Sequence, residues 1–136
     1  MDEGGGSEKG ESKFGDEPVN KEDSPPPPVA IRPRAVADIE RHVEYLEENA
    51  TPDVVVRFRF AIMDAIDRIA FMPRAGAPRE VRNSLLSGLR MSVVPDFRNY
   101  LIFYLTPKGG IEILRVLHGA QDAKSILDDE ELKEIL

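Results

Sequence analysis

The chain of 136 residues contains no cysteine and no tryptophan, and only two histidines. Without cysteine there is no disulfide framework, no thiolate zinc site and no thiol catalysis. Two histidines that lack a His-x-x-x-His spacing do not supply a zinc site either, so neither metal nor cofactor is expected. No apolar run approaches the roughly 20 residues of a membrane-spanning helix, and the N-terminus lacks the apolar stretch of a signal peptide. The expectation is a cytoplasmic protein without a membrane partner. The sequon Asn49-Ala50-Thr51 is then a coincidence of spelling.

Apolar residues are also missing from the first 28 positions, where only Met1, Phe14 and Val19 break a run of acids, glycines and prolines. Such a segment cannot bury enough surface to offset its ordering entropy, and is read as a disordered acidic Gly/Pro-rich extension. Residues 29–127 are left as one small domain, followed by an acidic tail or short helix over 128–136.

Positive charge is scarce overall, with a formal net charge of −7, but the deficit belongs to the ends. Residues 1–28 hold eight acids against three lysines, and residues 128–136 hold five acids against Lys133. Between them, 68–118 carries seven arginines and one lysine against three acids. The second half of the domain is therefore basic, and its reliance on Arg over Lys suits bidentate contact with phosphate or carboxylate. One expectation is that the acidic extension lies against this Arg-rich face and tempers it.

Periodicity supplies the fold. Pro25 to Pro28 form a stiff spacer before Val29-Ala30-Ile31, a short apolar run that reads as an edge strand. From Arg34 to Asn49, Val36, Ile39, Val43 and Leu46 recur at helical steps, with the charges mostly elsewhere on the wheel. Thr51-Pro52-Asp53 starts a second helix, with a hydroxyl N-cap, proline in the first turn and a carboxylate at the positive end of the dipole. Val55, Phe58, Ile62, Ala65, Ile66, Ile69 and Met72 keep one face of it apolar. The short connection makes the two helices an antiparallel hairpin. Pro73 to Pro78 breaks the second helix, and beyond Gly88 the period becomes that of strands, over 89–94, 100–106 and 111–117, joined by short turns. The predicted class is α+β: an N-terminal helical hairpin on a three- to four-stranded antiparallel sheet, with a short C-terminal helix. Strict alternation puts Ile111, Ile113, Arg115 and Leu117 on one face of the last strand, and Leu101, Phe103 and Leu105 on one face of the strand before it. Both faces of the sheet are apolar and one hairpin covers only one of them, so the other needs the C-terminal segment or another protein.

Few residues carry chemistry. His42, beside the apolar stripe of the first helix, reads as a core-edge residue. His118 follows the last strand directly and is either a displayed acid or base or an ordinary turn histidine. No phosphate loop and no nucleophile elbow is present. The remaining candidates are Arg74, Arg79, Arg82, Arg90, Arg98 and Arg115, each of which also reads as a solvated surface charge.

Asn99-Tyr100-Leu101-Ile102-Phe103-Tyr104, together with Ile111-Glu112-Ile113-Leu114-Arg115-Val116-Leu117-His118-Gly119-Ala120-Gln121-Asp122, resembles the C-terminal signature of the ParE branch of the RelE/ParE toxins of type II toxin–antitoxin pairs. Asp38-Ile39 in the first helix and the Pro73-x-x-Gly76 break are similar too, so the resemblance covers about residues 29–127. It implies a cytoplasmic toxin in a hetero-oligomer with a short, partly disordered antitoxin, of ribbon-helix-helix type, that wraps and neutralises it. ParE-like members act by binding DNA gyrase, whereas RelE-like members cleave mRNA in the ribosome with basic residues and a Tyr or His. On this resemblance Arg74, Arg79, Arg98, His118, Gln121 and Asp122 are the expected target contacts, and Ile111, Ile113, Leu117, Leu101 and Phe103 the antitoxin contacts. A ribonuclease would use His118, Arg90, Arg115 and Arg82, but His118 is followed by Gly119 where some ribonuclease relatives place a tyrosine. The gyrase-type reading, with no catalytic residues, is preferred. A ribonuclease and a non-toxic antitoxin-binding relative are the alternatives. Gln121 stands where the family commonly has Arg, which removes one charge from the region implicated in target inhibition.

Overall fold

The computed structural model describes residues 27–129; the acidic extension up to residue 26 and the tail from residue 130 lie outside the described residues. The elements are β1 (Val29–Ile31), α1 (Pro33–Asn49), α2 (Pro52–Phe71), β2 (Ala77–Pro78), a 3-10 turn (Ser84–Leu86), β3 (Arg90–Val94), β4 (Phe97–Leu105), β5 (Ile111–His118) and α3 (Ala123–Asp128). One five-stranded sheet runs β1-β5-β4-β3-β2. The α+β class, the hairpin and the short C-terminal helix agree with the sequence reading. Two features depart from the expected three- to four-stranded antiparallel sheet. β1 pairs with β5 in parallel, because the helical hairpin forms a crossover between them, and the two-residue β2, inside the segment read only as a helix break, extends the other edge.

Local chemistry explains the boundaries. The Thr51 hydroxyl accepts from the Val54 N–H at 3.4 Å, Pro52 occupies the first helical turn, and Asp53 pairs with Arg57 one turn on. The turn between β3 and β4 is only Pro95-Asp96, shorter than the 95–99 spacer read from sequence, because Val94 already pairs with Phe97. Asp96 takes φ 69°, a left-handed conformation that Asp tolerates better than a branched residue.

Two cores sandwich the sheet. On the helical face Phe58, Ile62, Ala65, Ile66 and Ile69 of α2 meet Val94, Tyr100, Ile102, Tyr104, Ile113 and Val116. On the far face Phe103, Leu114 and Leu117 are covered by Leu86, Leu89 and Leu127, with Val81, Ala123 and Ile126 at the margin. Of the two covers considered for that face, the chain's own is present: the loop 79–89 and α3 fold over it. The Arg82 N–H donates to the Asp128 carboxylate at 2.7 Å and the Asn83 amide to the Leu127 carbonyl at 3.3 Å, which fastens the loop to α3.

Strict alternation fails in β5. The register shifts between Phe103 and Tyr104, so Leu114 and Arg115 together oppose Phe103. This β-bulge sends Ile111, Ile113 and Val116 to the helical core and Leu114 and Leu117 to the far one. Ile113 and Leu117, expected on one face, are on opposite faces.

Candidate functional site

The bulge explains the least expected residue of α1. Among the described residues no strand covers the outer edge of β5 past Ile31, and the Val116 backbone needs partners there. Side chains of α1 provide them. The Asp38 carboxylate accepts the Val116 N–H at 2.9 Å, and the His42 Nε2 donates to the Val116 carbonyl at 2.7 Å. Asp38 also accepts from the Arg115 Nε and Nη2 at 2.7 and 2.8 Å, a bidentate pair in which Asp38 is 0% and Arg115 8% exposed, and Arg41 closes on the same carboxylate from outside. Sequence reading put Asp38 off the apolar stripe and kept Val36 on it. The structure turns α1 so that Ala35, Asp38 and Val43 are buried and Val36 is exposed.

His42 belongs to a ring cluster. Its centroid is 5.0 Å from that of Tyr100, which is 4.9 Å from Phe58 and 5.0 Å from His118, all edge to face. Burial lowers the His42 pKa below 6.5, outweighing the upward pull of the Val116 carbonyl and Asp38, while Arg41 and His118 push the same way as burial. Burial, with Tyr45 adding to it, raises the Tyr100 phenol above 10.0. Since the folded His42 binds its proton more weakly than the unfolded one, its contribution to stability is full above pH about 6.5 and declines as pH falls below that value through the folded pKa. Between about pH 7.5 and 5.5 the urea midpoint should therefore fall further for the parent protein than for His42→Gln; equal falls would contradict this.

His118 is a turn histidine. Its Nδ1 accepts the Ala120 N–H at 3.0 Å, which places the proton of the neutral ring on Nε2. The turn is closed further by Gly119, whose N–H reaches the Asn99 carbonyl at 2.6 Å, and by Gln121, whose Oε1 accepts the His118 N–H at 2.8 Å. An arginine has no acceptor and could not make that last bond, so the departure at Gln121 has a structural use. Asp122 caps α3 through the Ser125 N–H.

At the opposite end of the sheet lies a second constellation. Tyr104 donates its hydroxyl to the Pro73 carbonyl at 2.8 Å and accepts the Gly76 N–H at 3.1 Å. Burial raises its pKa above 10.0 against the lowering effects of the Gly76 bond and Arg90. Arg90 donates to the carbonyls of Arg74 and Gly76 at 3.0 and 2.7 Å, and Arg79 lies against the Met91 sulfur at 3.7 Å. A hollow of about 560 Å³ opens beside them, lined among others by Arg68, Phe71, Met72 and Tyr104.

The expected target contacts thus divide. Arg98, His118, Gln121 and Asp122 share the Tyr100 end, whereas Arg74 and Arg79 sit at the Tyr104 end. Six residue steps along β4 separate Arg98 from Tyr104, roughly 20 Å. The ribonuclease set is not brought together either. His118 is opposite Tyr100 while Arg90 is opposite Tyr104, about 13 Å along the strand. Arg115 is committed to Asp38, and Arg82 sits on the loop over the far face. Among the expected antitoxin contacts Ile111, Ile113, Phe103 and Leu117 are filled positions of the two cores, and only Leu101 is partly exposed. Among the described residues no group of three His, Cys, Asp or Glu side chains is placed to hold a metal ion, and no helix is long and apolar enough to cross a membrane.

A chain of the chromosomal ParDE TA system from P. aeruginosa has a similar fold, with a TM-score of 0.56 at 15% identity, over 67% of this chain and 94% of that one. No curated protein matches. Residues 29–123, from β1 to the first residue of α3, match the family described as ParE toxin of type II toxin-antitoxin system, parDE. That span takes in the crossover, the bulge and the His118 turn, and the chain belongs to the ParE toxin family.

Proposed function

We propose that this ParE-type chain arrests growth by binding DNA gyrase in the cytoplasm, without catalysing a reaction, and that a cognate antitoxin of ribbon-helix-helix type neutralises it by forming a hetero-oligomer. The observation that carries this reading is the dispersal of the groups that RNA cleavage would need. In-line attack by a 2′-hydroxyl requires a proton-moving group and cations aimed at one phosphate. Here His118 has Nδ1 committed to Ala120, Arg115 is neutralised by Asp38, and Arg90 is tied to two carbonyls at the far end. Contact inhibition needs only a shaped surface, and Arg98, His118 and Asp122 offer one at the Tyr100 end, on a turn braced by Gln121 and Gly119.

Purified protein added to a gyrase supercoiling assay, and separately to ribosomes translating a defined mRNA, should inhibit the first and leave the message intact. Arg98→Glu should reduce gyrase inhibition by about tenfold, the usual scale for one contact worth 1.4 kcal/mol. Site-specific mRNA cuts that disappear in His118→Ala, with gyrase unaffected, would establish the ribonuclease reading instead.

A further inference from the structure

The core stripe of α2 is not its only apolar face. Val56, Phe60 and Met63 recur at i, i+4 and i+7 on the side opposite Phe58, Ile62, Ala65 and Ile69, and they stand 53%, 73% and 53% exposed. A helix apolar on two opposite faces is half partnered by its own fold and half not. Beside this outer stripe the charges follow one order. Asp53, Arg57, Asp64 and Arg68 fall on the same flank, spaced to alternate in sign, and within the chain Arg57 pairs with Asp53 and Arg68 with Asp64, each at 3.2 Å. Asp67 marks the polar end of the stripe.

We propose that the outer face of α2 is a self-association surface, on which a second copy of this chain packs antiparallel about a twofold axis near Phe60. In an antiparallel pair related by a twofold axis, each flank meets the same flank of the copy in reverse order. The sequence of signs minus, plus, minus, plus then meets plus, minus, plus, minus. Asp53 faces the Arg68 of the copy and Arg57 faces its Asp64, while Phe60 meets Phe60 and Val56 meets Met63. A parallel twofold pairing would set each flank against the opposite flank of the copy and bring no such match. The order that lets these charges pair within the helix also makes the flank complementary to itself in reverse, and this self-complementarity selects a second copy as the occupant. The exposed ion pairs set register and orientation rather than affinity, which comes from the apolar contact. With three large apolar side chains per copy the interface is at the low end of specific interfaces, and association belongs in the micromolar range. The surface is independent of the target proposed above.

Sedimentation equilibrium of the full chain across the micromolar range tests it. The mass should rise with concentration from 15.2 kDa toward twice that value. Phe60→Arg changes a side chain that the fold does not use, so the variant should keep its circular dichroism and associate at least about tenfold more weakly. Two further variants test register. Arg57→Glu with Arg68→Glu makes the flank wholly acidic, and Asp53→Lys with Asp64→Lys makes it wholly basic. Each should be monomeric alone, and an equimolar mixture should form a one-to-one dimer. A parent protein that stays monomeric throughout, a Phe60→Arg variant that dimerises like the parent, or a mixture that does not associate would each overturn the proposal. So would a stable complex in which an antitoxin occupies the Phe60 face of a toxin that never pairs with itself.

Discussion

Asp38→Ala is expected to destabilise the fold by about 3–5 kcal/mol, enough to unfold a domain of ordinary marginal stability. The carboxylate serves three donors at once: Arg115 through two nitrogens, the Val116 N–H at the bulge, and Arg41 at the surface. Removing it takes two charge-assisted bonds from a guanidinium that is almost wholly buried and the acceptor from a strand amide, losses that together outweigh what the original pair contributed. Asp38→Asn keeps an acceptor for Val116 but not the charge, and should fall between parent and alanine. Replacing both members, as in Asp38→Ala with Arg115→Met, should recover part of the loss, because the stranded charge is gone. Urea unfolding of the parent, both single variants and the double variant gives the coupling directly. If the two single losses simply add, the pair is not acting as a unit and this account of α1 docking is wrong. Function should follow stability here, because the Arg115 guanidinium is sequestered from any target.

Gly76→Ala should cost about 2–4 kcal/mol for a different reason, steric rather than electrostatic. A β-carbon on Gly76 would lie 2.2 Å from the Tyr104 hydroxyl and 2.9 Å from two ring carbons, well inside van der Waals contact. Tyr104 cannot yield easily, since its ring is buried and its hydroxyl links the Pro73 carbonyl to the Gly76 N–H. Either the ring or the loop must move, and the Arg90 bonds to the Arg74 and Gly76 carbonyls are disturbed with it. Tyr104→Phe alone should cost about 1–2 kcal/mol for the lost hydrogen bonds. Combined with Gly76→Ala it should be less damaging than the sum, because the atom nearest the new methyl has been removed. Thermal unfolding of the three variants decides the point: strict additivity would mean that the contact does not limit the site. The change falls at the Tyr104 end, so a folded Gly76→Ala protein should bind a target at the His118 end normally.

Much of the architecture was legible because it rests on short-range physics. The N-cap at Thr51, the proline starts of both helices and the change of period after Gly88 each act within a few residues. The family resemblance lay in the same kind of local pattern, carried by the two long strands and the His118-Gly119-Ala120-Gln121-Asp122 turn. His118, which the sequence leaves open between a displayed acid or base and a turn histidine, is a turn residue in the structure, with its partner only two positions away. The expectation that fails is unbroken alternation in β5. A bulge depends on how two strands register over their whole length, and nothing in Ile111–His118 alone marks Leu114 as the extra residue. With the bulge unseen, the face of Leu117 was misplaced and the partner of Asp38 could not be identified. The outer stripe of α2 was hidden for another reason. Val56, Phe60 and Met63 are apolar like their neighbours, and only the position of the sheet decides which apolar face of a helix is core.

By itself the sequence determined the order of the helices and long strands, the basic character of the domain between acidic ends, the absence of thiol chemistry and the kinship with ParE toxins. Each depends on composition or on contacts between near neighbours in the chain. The tertiary structure alone decided which charges are available and which are consumed. Arg115 and Asp38, 77 positions apart, cancel inside the fold, and Arg90 is spent on the backbone of a loop 14 to 16 residues before it. Arg98 remains exposed at the end that carries His118. Pairing at such separations follows from crossover, register and bulge together, and a count of arginines along the chain holds none of the three.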